Sequence, residues 1–342
     1  MTYRIGQMLP AVLIGASMVA PVAAPRAALA APIQITISHS QKTADFLPLW
    51  IASDAGYFKK HGVEATIRYL PAQEGIPALL TGQVQIAGIG GSDAASAEAQ
   101  GAKLKLVTTF SPIYTFQFWA RPQYAKADAL KGQRIGVTST TGSLYAATLL
   151  TLKQLNLKPT DVILTPLGGV TNVNASLLAG SIAAACSHPP ATYKFQQGGL
   201  VDLVDLAKNN IPSISAGLWV TEAYLNAHRD AVQNVVDAVV EALQREKSDR
   251  AFAEAELRKY LAVTDKAALD DTYDFYVNEV LVGGPLPQAA GIAGNIEALA
   301  AKNPKVKNLD PTAMLDQSFV RNAEAKHAAS GGTRDTTKSS AQ

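Results

Sequence analysis

The chain has 342 residues, 48% of them hydrophobic and 17% charged, with 30 Lys and Arg against 28 Asp and Glu. This composition excludes a disordered polyelectrolyte and a coiled coil, and the length accommodates roughly two domains. A single cysteine, Cys186, excludes an internal disulfide and a multi-cysteine metal centre, and 7% aromatics with a net charge of +2 leave no footing for nucleic acid.

Residues 1–30 read as a secretory signal peptide: Arg4, an apolar run from Ile5 to Ala24, then the small-residue site Ala28-Leu29-Ala30. Pro10, Pro21 and Pro25 argue against a membrane anchor. No cysteine follows the cleavage site, so the exported protein is expected to be periplasmic and not a lipoprotein. Loss of Arg4 and Arg26 leaves acidic and basic side chains balanced, which removes the electrostatic basis for binding DNA or an anionic membrane.

From residue 31 onward, short β-rich runs alternate with amphipathic helices. Residues 33–37 alternate with period two and predict a strand, and residues 46–60 predict a helix stopped at Gly62. Strands follow at 63–70, 84–89 and 104–110, with helices at 75–80 and 92–100. A second series has strands at 134–137, 162–166, 182–186 and 200–203. Its helices are 143–155, 172–178 and a segment starting at Ala191. After a strand at 215–220, residues 222–260 and 266–280 read as helical.

This alternation predicts an α/β fold of parallel sheets covered by helices on both faces. Two series imply two α/β lobes joined by two crossovers. Lobe 1 is assigned 31–118 plus 219–322, lobe 2 is 119–218, and 323–342 is a disordered tail. The helical C-terminal third is expected to pack on lobe 1.

Ligands of open parallel sheets sit beyond the carboxyl ends of the strands, where helix N-termini present free N–H groups. Four segments occupy such positions. The first runs from Ser38 to Phe46 and offers His39, Ser40, Lys42, Thr43 and Phe46. The second offers Gly91, Ser92 and Asp93, and the third Ser139, Thr140, Thr141, Gly142 and Ser143. The fourth offers Ser187 and His188 before Pro189-Pro190, and Phe116 in the crossover is a candidate to line the cleft. Small and hydroxyl-bearing residues admit backbone N–H groups to a ligand, although Ser92, Asp93 and Ser143 also suit helix N-caps.

His39 and His188 have no acidic residue at metal spacing, so neither a metal nor a cofactor is expected. Cys186 follows Ala183-Ala184-Ala185 and reads as a buried, inert thiol rather than as half of a Cys–His nucleophile. No nucleophile elbow, phosphate loop or zinc-protease motif occurs.

The stretch Leu49-Trp50-Ile51-Ala52, continuing through Gly56-Tyr57-Phe58-Lys59-Lys60-His61-Gly62-Val63, resembles substrate-binding proteins of ABC importers. The branch concerned serves nitrate, sulfonate, taurine and thiamine-pyrimidine precursors. Leu79-Leu80-Thr81-Gly82-Gln83-Val84-Gln85, Leu130-Lys131-Gly132 with Ile135-Gly136-Val137, and Leu177-Leu178-Ala179-Gly180 extend the resemblance across most of residues 33–240. It implies a type II periplasmic binding fold that hinges shut on a small-molecule ligand held by the four segments above. It also implies ABC permease and ATPase subunits as partners of a monomeric, non-enzymatic binding protein. Gln85 and Ala183 stand where the family usually has Asp, and Ser187-His188 departs from its usual acidic or Trp residue.

The favoured ligand is a small organic anion, a sulfonate or carboxylate that could be aromatic. The alternatives are a neutral heterocycle such as a pyrimidine, or an enzyme on the same fold of the sulfinate-hydrolase or pyrimidine-precursor type.

Overall fold

Two five-stranded sheets carry the architecture. A computed structural model describes residues 1–3 and 31–332, and the chain from Pro32 onward forms one compact unit. The signal-peptide reading therefore falls outside the described residues, apart from the first three.

The first sheet has strand order β2-β1-β3-β10-β4. Its strands are β1 (Ile33–His39), β2 (Val63–Tyr69), β3 (Ile86–Ile89), β4 (Leu104–Ile113) and β10 (Pro212–Thr221). The second has order β7-β6-β8-β5-β9. It comprises β5 (Gln117–Ala120), β6 (Arg134–Val137), β7 (Ile163–Pro166), β8 (Ala184–Ser187) and β9 (Val201–Asp205). Each sheet is mixed, unlike the all-parallel expectation. β10 runs antiparallel to β3 and β4, and β5 runs antiparallel to β8 and β9.

Helices of the first series are α1 (Leu47–Asp54), α2 (Tyr57–Lys60), α3 (Ala72–Leu80) and α4 (Gly91–Glu98). The single helix expected over 46–60 is broken, because Gly56 adopts φ +74° between α1 and α2. The second series holds α5 (Ser143–Gln154), α6 (Val170–Ala179) and α7 (Ala191–Gln197). The C-terminal part folds as α8 (Glu222–Ala227), α9 (Arg229–Ser248), α10 (Arg250–Leu261) and α11 (Lys266–Asp274), with a π-helical turn at Phe275–Val280. Two further helices, α12 (Ala289–Leu299) and α13 (Ser318–Gly332), complete it.

Helices cover both faces of each sheet. On the first sheet, Ile35, Ile37 and Leu218 pack with Leu49, Ile51, Val235 and Val239 of α1 and α9. Its other face packs Ile89, Leu106 and Trp219 against Ala94 of α4 and Ile292 of α12. On the second sheet, Ile135, Val137 and Phe118 meet Leu144 and Leu152 of α5. Trp119 and Ala185, on the reverse face, meet Val173, Leu177 and Phe195 of α6 and α7.

Three expectations need correction. The crossovers lie at 114–116 and 206–211, because β5 and β10 extend through the 118/119 and 218/219 boundaries drawn from sequence. Nearly every residue from 106 to 120 is apolar or buried, so no polar break marks the edge of a sheet there. Residues 323–332 of the expected tail are helical rather than unstructured, as the end of α13, whose Phe319, Val320 and Ala323 join the core beside α9; residues 333–342 lie outside the described region. Finally, α12 contacts α5 as well as α4 and β10, and Leu299 and Val306 enter the core of the second lobe. The C-terminal third thus braces both lobes.

The crossovers lie side by side. Tyr114 N–H donates to Ile211 O at 3.0 Å, and Leu206 N–H donates to Phe116 O at 3.0 Å. Asn295 of α12, fully buried, ties them together. Its Oδ1 accepts from Ile214 N–H at 2.8 Å, and its Nδ2 donates to Ser213 Oγ at 2.9 Å, Ser92 Oγ at 3.1 Å and Tyr114 OH at 3.4 Å. Gly294 makes this approach feasible, because a Cβ there would lie 2.1 Å from Pro212 O.

Asn295→Ala strands the Ile214 N–H and three hydroxyls in the core. The expected loss is about 2–3 kcal/mol, the usual cost of buried groups left unpaired. Urea unfolding of the variant measures it, and a midpoint equal to that of the parent refutes the bracing role.

Candidate functional site

Parallel register decides what meets at the cleft. β1 and β2 pair from Ile33↔Val63 to His39↔Tyr69, so the segments after both strands emerge together. In the second sheet β6 and β7 pair up to Val137↔Pro166, and the ladder continues as Leu167 N–H to Val137 O and Gly168 N–H to Thr138 O. These carboxyl ends bound a cavity of about 200 Å³ lined from both lobes.

The first lobe contributes Ser40, Gln41, Lys42, Tyr69, Gln73 and Asp93 to this cavity. The second contributes Thr138, Ser139, Gly142 and residues 168–172. Three helices begin here, and their N-caps are Gly90 (α4), Gly142 (α5) and Gly169 (α6), with no side-chain cap on any of them. The cap alternative for Ser92, Asp93 and Ser143 is thereby set aside. First-turn N–H groups and the positive ends of the helix dipoles are left for a guest.

At the cleft the lobes approach closely at two glycines. A Cβ on Gly142 would lie 3.3 Å from both carboxylate oxygens of Asp93, and one on Gly90 would lie 1.9 Å from Ser143 Oγ. At Gly90 a side chain would force Ser143 to move, whereas at Gly142 the contact would only be tight. Asp93 is buried, and burial pushes its carboxyl up to about 7, with Thr141 across the cleft offsetting part of that rise. Ser139 shapes the opposite wall by accepting from the N–H groups of Thr141 and Gly142 at 3.3 and 3.2 Å.

His39, Thr43 and Phe46 support this cavity instead of lining it, while Lys42 stands at its rim. His39 is buried among Phe46, Trp50 and Tyr69, with Nδ1 2.8 Å from Gln41 O. Burial lowers its pKa, and the Lys42 charge lowers it further while the Gln41 contact opposes, so the ring is held neutral. Thr43 donates to Asp45 at 2.9 Å, and Asp45 also receives Ser111 at 2.6 Å, Tyr276 at 3.1 Å and Thr115 at 3.4 Å. That buried carboxylate pins the Ser40–Thr43 loop to the crossover strand. Phe46 fills the space over Gly88, where a Cβ would lie 2.7 Å from Phe46 Cε1. Lys42 is exposed, its ammonium 5.1 Å from the Tyr69 ring centroid.

Several candidates point elsewhere. Gly91 packs against Asn295, and the Ser92 hydroxyl accepts from Asn295, both on the α12 side of α4. Phe116 is buried in the crossover with its ring centroid 5.6 Å from that of His188. Thr140 is exposed, and Ser187 donates to Asn174 at 2.8 Å. His188 lines a second and larger cavity of about 580 Å³, together with Lys42, Thr43, residues 260–265 and parts of α6 and α7.

Four buried polar atoms near the strand ends have no hydrogen-bond partner: Ser38 Oγ, Ser143 Oγ, Ser215 Oγ and His188 Nε2. Such orphans are uncommon in a finished core; of the four, His188 Nε2 belongs to a residue that lines a described cavity. Cys186 is fully buried beside Thr151, 3.6 Å from its Oγ1, and burial pushes its thiol up to about 11. Among the described residues, no group of three His, Cys, Asp or Glu side chains is placed to hold a metal. No described helix is long and apolar enough to cross a membrane.

Sequence reasoning missed Tyr69, Gln73 and residues 168–172. They follow β2 and β7, so the strand-end rule that selected the other loops would have found them had it been applied to every parallel strand.

A curated relative, the riboflavin-binding protein RibY of Chloroflexus aurantiacus, is 24% identical over 235 residues, covering 65% of this chain and 66% of that protein. A solved structure from Bordetella bronchiseptica RB50 superposes with a TM-score of 0.74 at 22% identity, covering 86% of this chain and 98% of the other. The alkanesulfonate-binding protein SsuA from Xanthomonas axonopodis pv. citri, bound to MOPS, gives a TM-score of 0.66 at 19% identity over 86% and 98%. The desulfurization enzyme DszB gives 0.63 at 20% identity over 86% and 99%. These structures establish a shared periplasmic-binding-protein fold of two lobes, one used for binding in most neighbours and for catalysis in DszB. The family described as NMT1/THI5 like matches residues 43–249, more than half of the sequence, and the chain belongs to it.

Proposed function

We propose that this protein is the periplasmic solute-binding component of an ABC import system, a monomer that delivers a small organic solute to permease and ATPase subunits. One observation carries the reading: the interlobe cavity is walled by strand ends and three uncapped helix N-termini drawn from both sheets. Such a site assembles only when the lobes close, and closure strips water from the hydrogen bonds it offers. A binding role also fits Cys186, whose buried thiol is far from a nucleophile's ionisation range.

The favoured guest is a sulfonate or carboxylate. Helix N-termini attract oxyanions, and Lys42 supplies a mobile cation at the rim. Asp93 is compatible with an anion when protonated, since it then donates a hydrogen bond instead of repelling. A neutral heterocycle is the second reading. The amides of Gln41, Gln73 and Asn172 favour it, as does the riboflavin named for the relative RibY.

The pH response separates the two. Above about pH 7 Asp93 is ionised, so affinity for an anion beside it falls as pH rises, by up to about tenfold per unit. Calorimetric titration with methanesulfonate, benzoate and riboflavin at pH 6 and 8.5 measures this. Anion binding that weakens with pH in the parent but not in Asp93→Asn supports the first reading; pH-independent riboflavin binding supports the second. No binding across the panel overturns solute capture.

Asp93 also predicts a stability slope. The folded carboxyl keeps its proton up to about pH 7, whereas an unfolded one releases it near 3.8, the ordinary value for aspartate. Native protein therefore binds more protons between these values, and its stability falls as pH rises through that window. Melting temperatures from pH 4 to 8 are expected to fall less steeply for Asp93→Asn than for the parent; parallel curves refute the assignment.

A further inference from the structure

Two of the cavities lined from both lobes adjoin, and they differ in character. The smaller, about 200 Å³, is lined by hydroxyls, amides, Asp93 and glycine backbone. The larger, about 580 Å³, sets Tyr193, Phe195, Tyr260 and Leu261 beside the polar rim residues Lys194 and Asp265, with the His188 ring between them and the crossover. Lys42, Val170 and Thr171 line both. The Ser40–Thr43 loop thus stands where the two chambers adjoin, and the exposed Lys42 chain is their movable boundary.

The volumes discriminate between guests. Sites for drug-sized ligands run about 300–1,000 Å³, so the polar chamber alone holds only a head group while the apolar chamber has room for a ring system. Its aromatic lining is rigid: Tyr260 stacks on Trp50 with centroids 4.6 Å apart and 9° between planes, and its hydroxyl donates to Asp54 at 2.9 Å. His188 Nε2 is buried and unpartnered there, while Nδ1 lies 3.0 Å from Pro189 O. A flat ring with a polar edge atom would bury apolar surface on Tyr260 and Leu261 and give His188 the partner it lacks.

We infer that the natural solute is a two-part molecule: a short oxygen-rich arm held in the polar chamber and a planar fused-ring aromatic body held in the larger chamber beside His188. This rests on the solute-capture reading and adds the class of ligand to it. Selectivity then comes from ring burial, since the arm alone leaves the apolar chamber empty.

Matched probes test it by calorimetry on the mature protein: methanesulfonate against naphthalene-2-sulfonate, and ribitol against riboflavin. The ringed member of one pair is expected to bind about 100-fold more tightly than its ringless partner, the gain for burying roughly 100 Å² of apolar ring. Ala175→Trp, at an exposed position of α6 lining the larger chamber, fills it without touching the core and is expected to cut the ring gain to within about threefold. Circular dichroism and melting temperature confirm that the variant folds. If the ringless probe binds as tightly as the ringed one, or if a folded Ala175→Trp keeps the gain, the two-part ligand is overturned while capture between lobes stands. If no probe binds, both fall.

Discussion

The site depends on a constraint of chain direction. Parallel strands in each lobe send their carboxyl ends toward one edge, and the two edges face each other only because the chain crosses between sheets twice. Each crossing donates one antiparallel strand, β5 to the second sheet and β10 to the first. The short segments 114–116 and 206–211 are hydrogen-bonded to one another, so the two sheets are joined by a narrow double-stranded connection. Asn295 reaches that connection from α12 and joins it to the first turn of α4, which also carries Asp93. The connection between the lobes and one cavity wall therefore share a single buried hydrogen-bond network.

The cleft is electrostatically spare. Lys42 is the cation among its lining residues and Asp93 the acid, and the remaining polar contacts come from hydroxyls, amides and peptide groups. Fixed dipoles at helix N-termini stand where arginine clamps are absent from this lining. Charge elsewhere is kept away from the chemistry. Asp45 is satisfied by four hydroxyls, and His39 is held neutral by burial. Both residues shape the Ser38–Phe46 segment without presenting charge to the cavity.

Much of the architecture was legible because hydrophobic periodicity is a local property. The strands at 63–70, 134–137 and 162–166 and the helix at 143–155 lie within a residue or two of their observed places, since alternation and helical spacing act over one element. Apart from the local break at Gly56, the main misreadings were non-local. The antiparallel direction of β10 depends on its neighbours β3 and β4, and the straddling position of α12 depends on glycine contacts with Pro212. Ser92 has the residue type and strand-end location of a ligand contact, yet it sits at the second position of α4 and the helix turns it toward Asn295.

By itself, then, the sequence determined an α/β chain in two series, the loops at strand ends and a thiol destined for burial, because composition and short-range pattern specify secondary structure and side-chain polarity. Tertiary structure alone decided which of those loops meet. Register between β1 and β2 brought Tyr69 to His39, the ladder of β6 with β7 brought residues 168–172 beside Ser139, and lobe contact set Gly142 against Asp93. Each of these is a pairing between distant segments, and its energy depends on strand alignment and close packing that no single stretch of residues encodes.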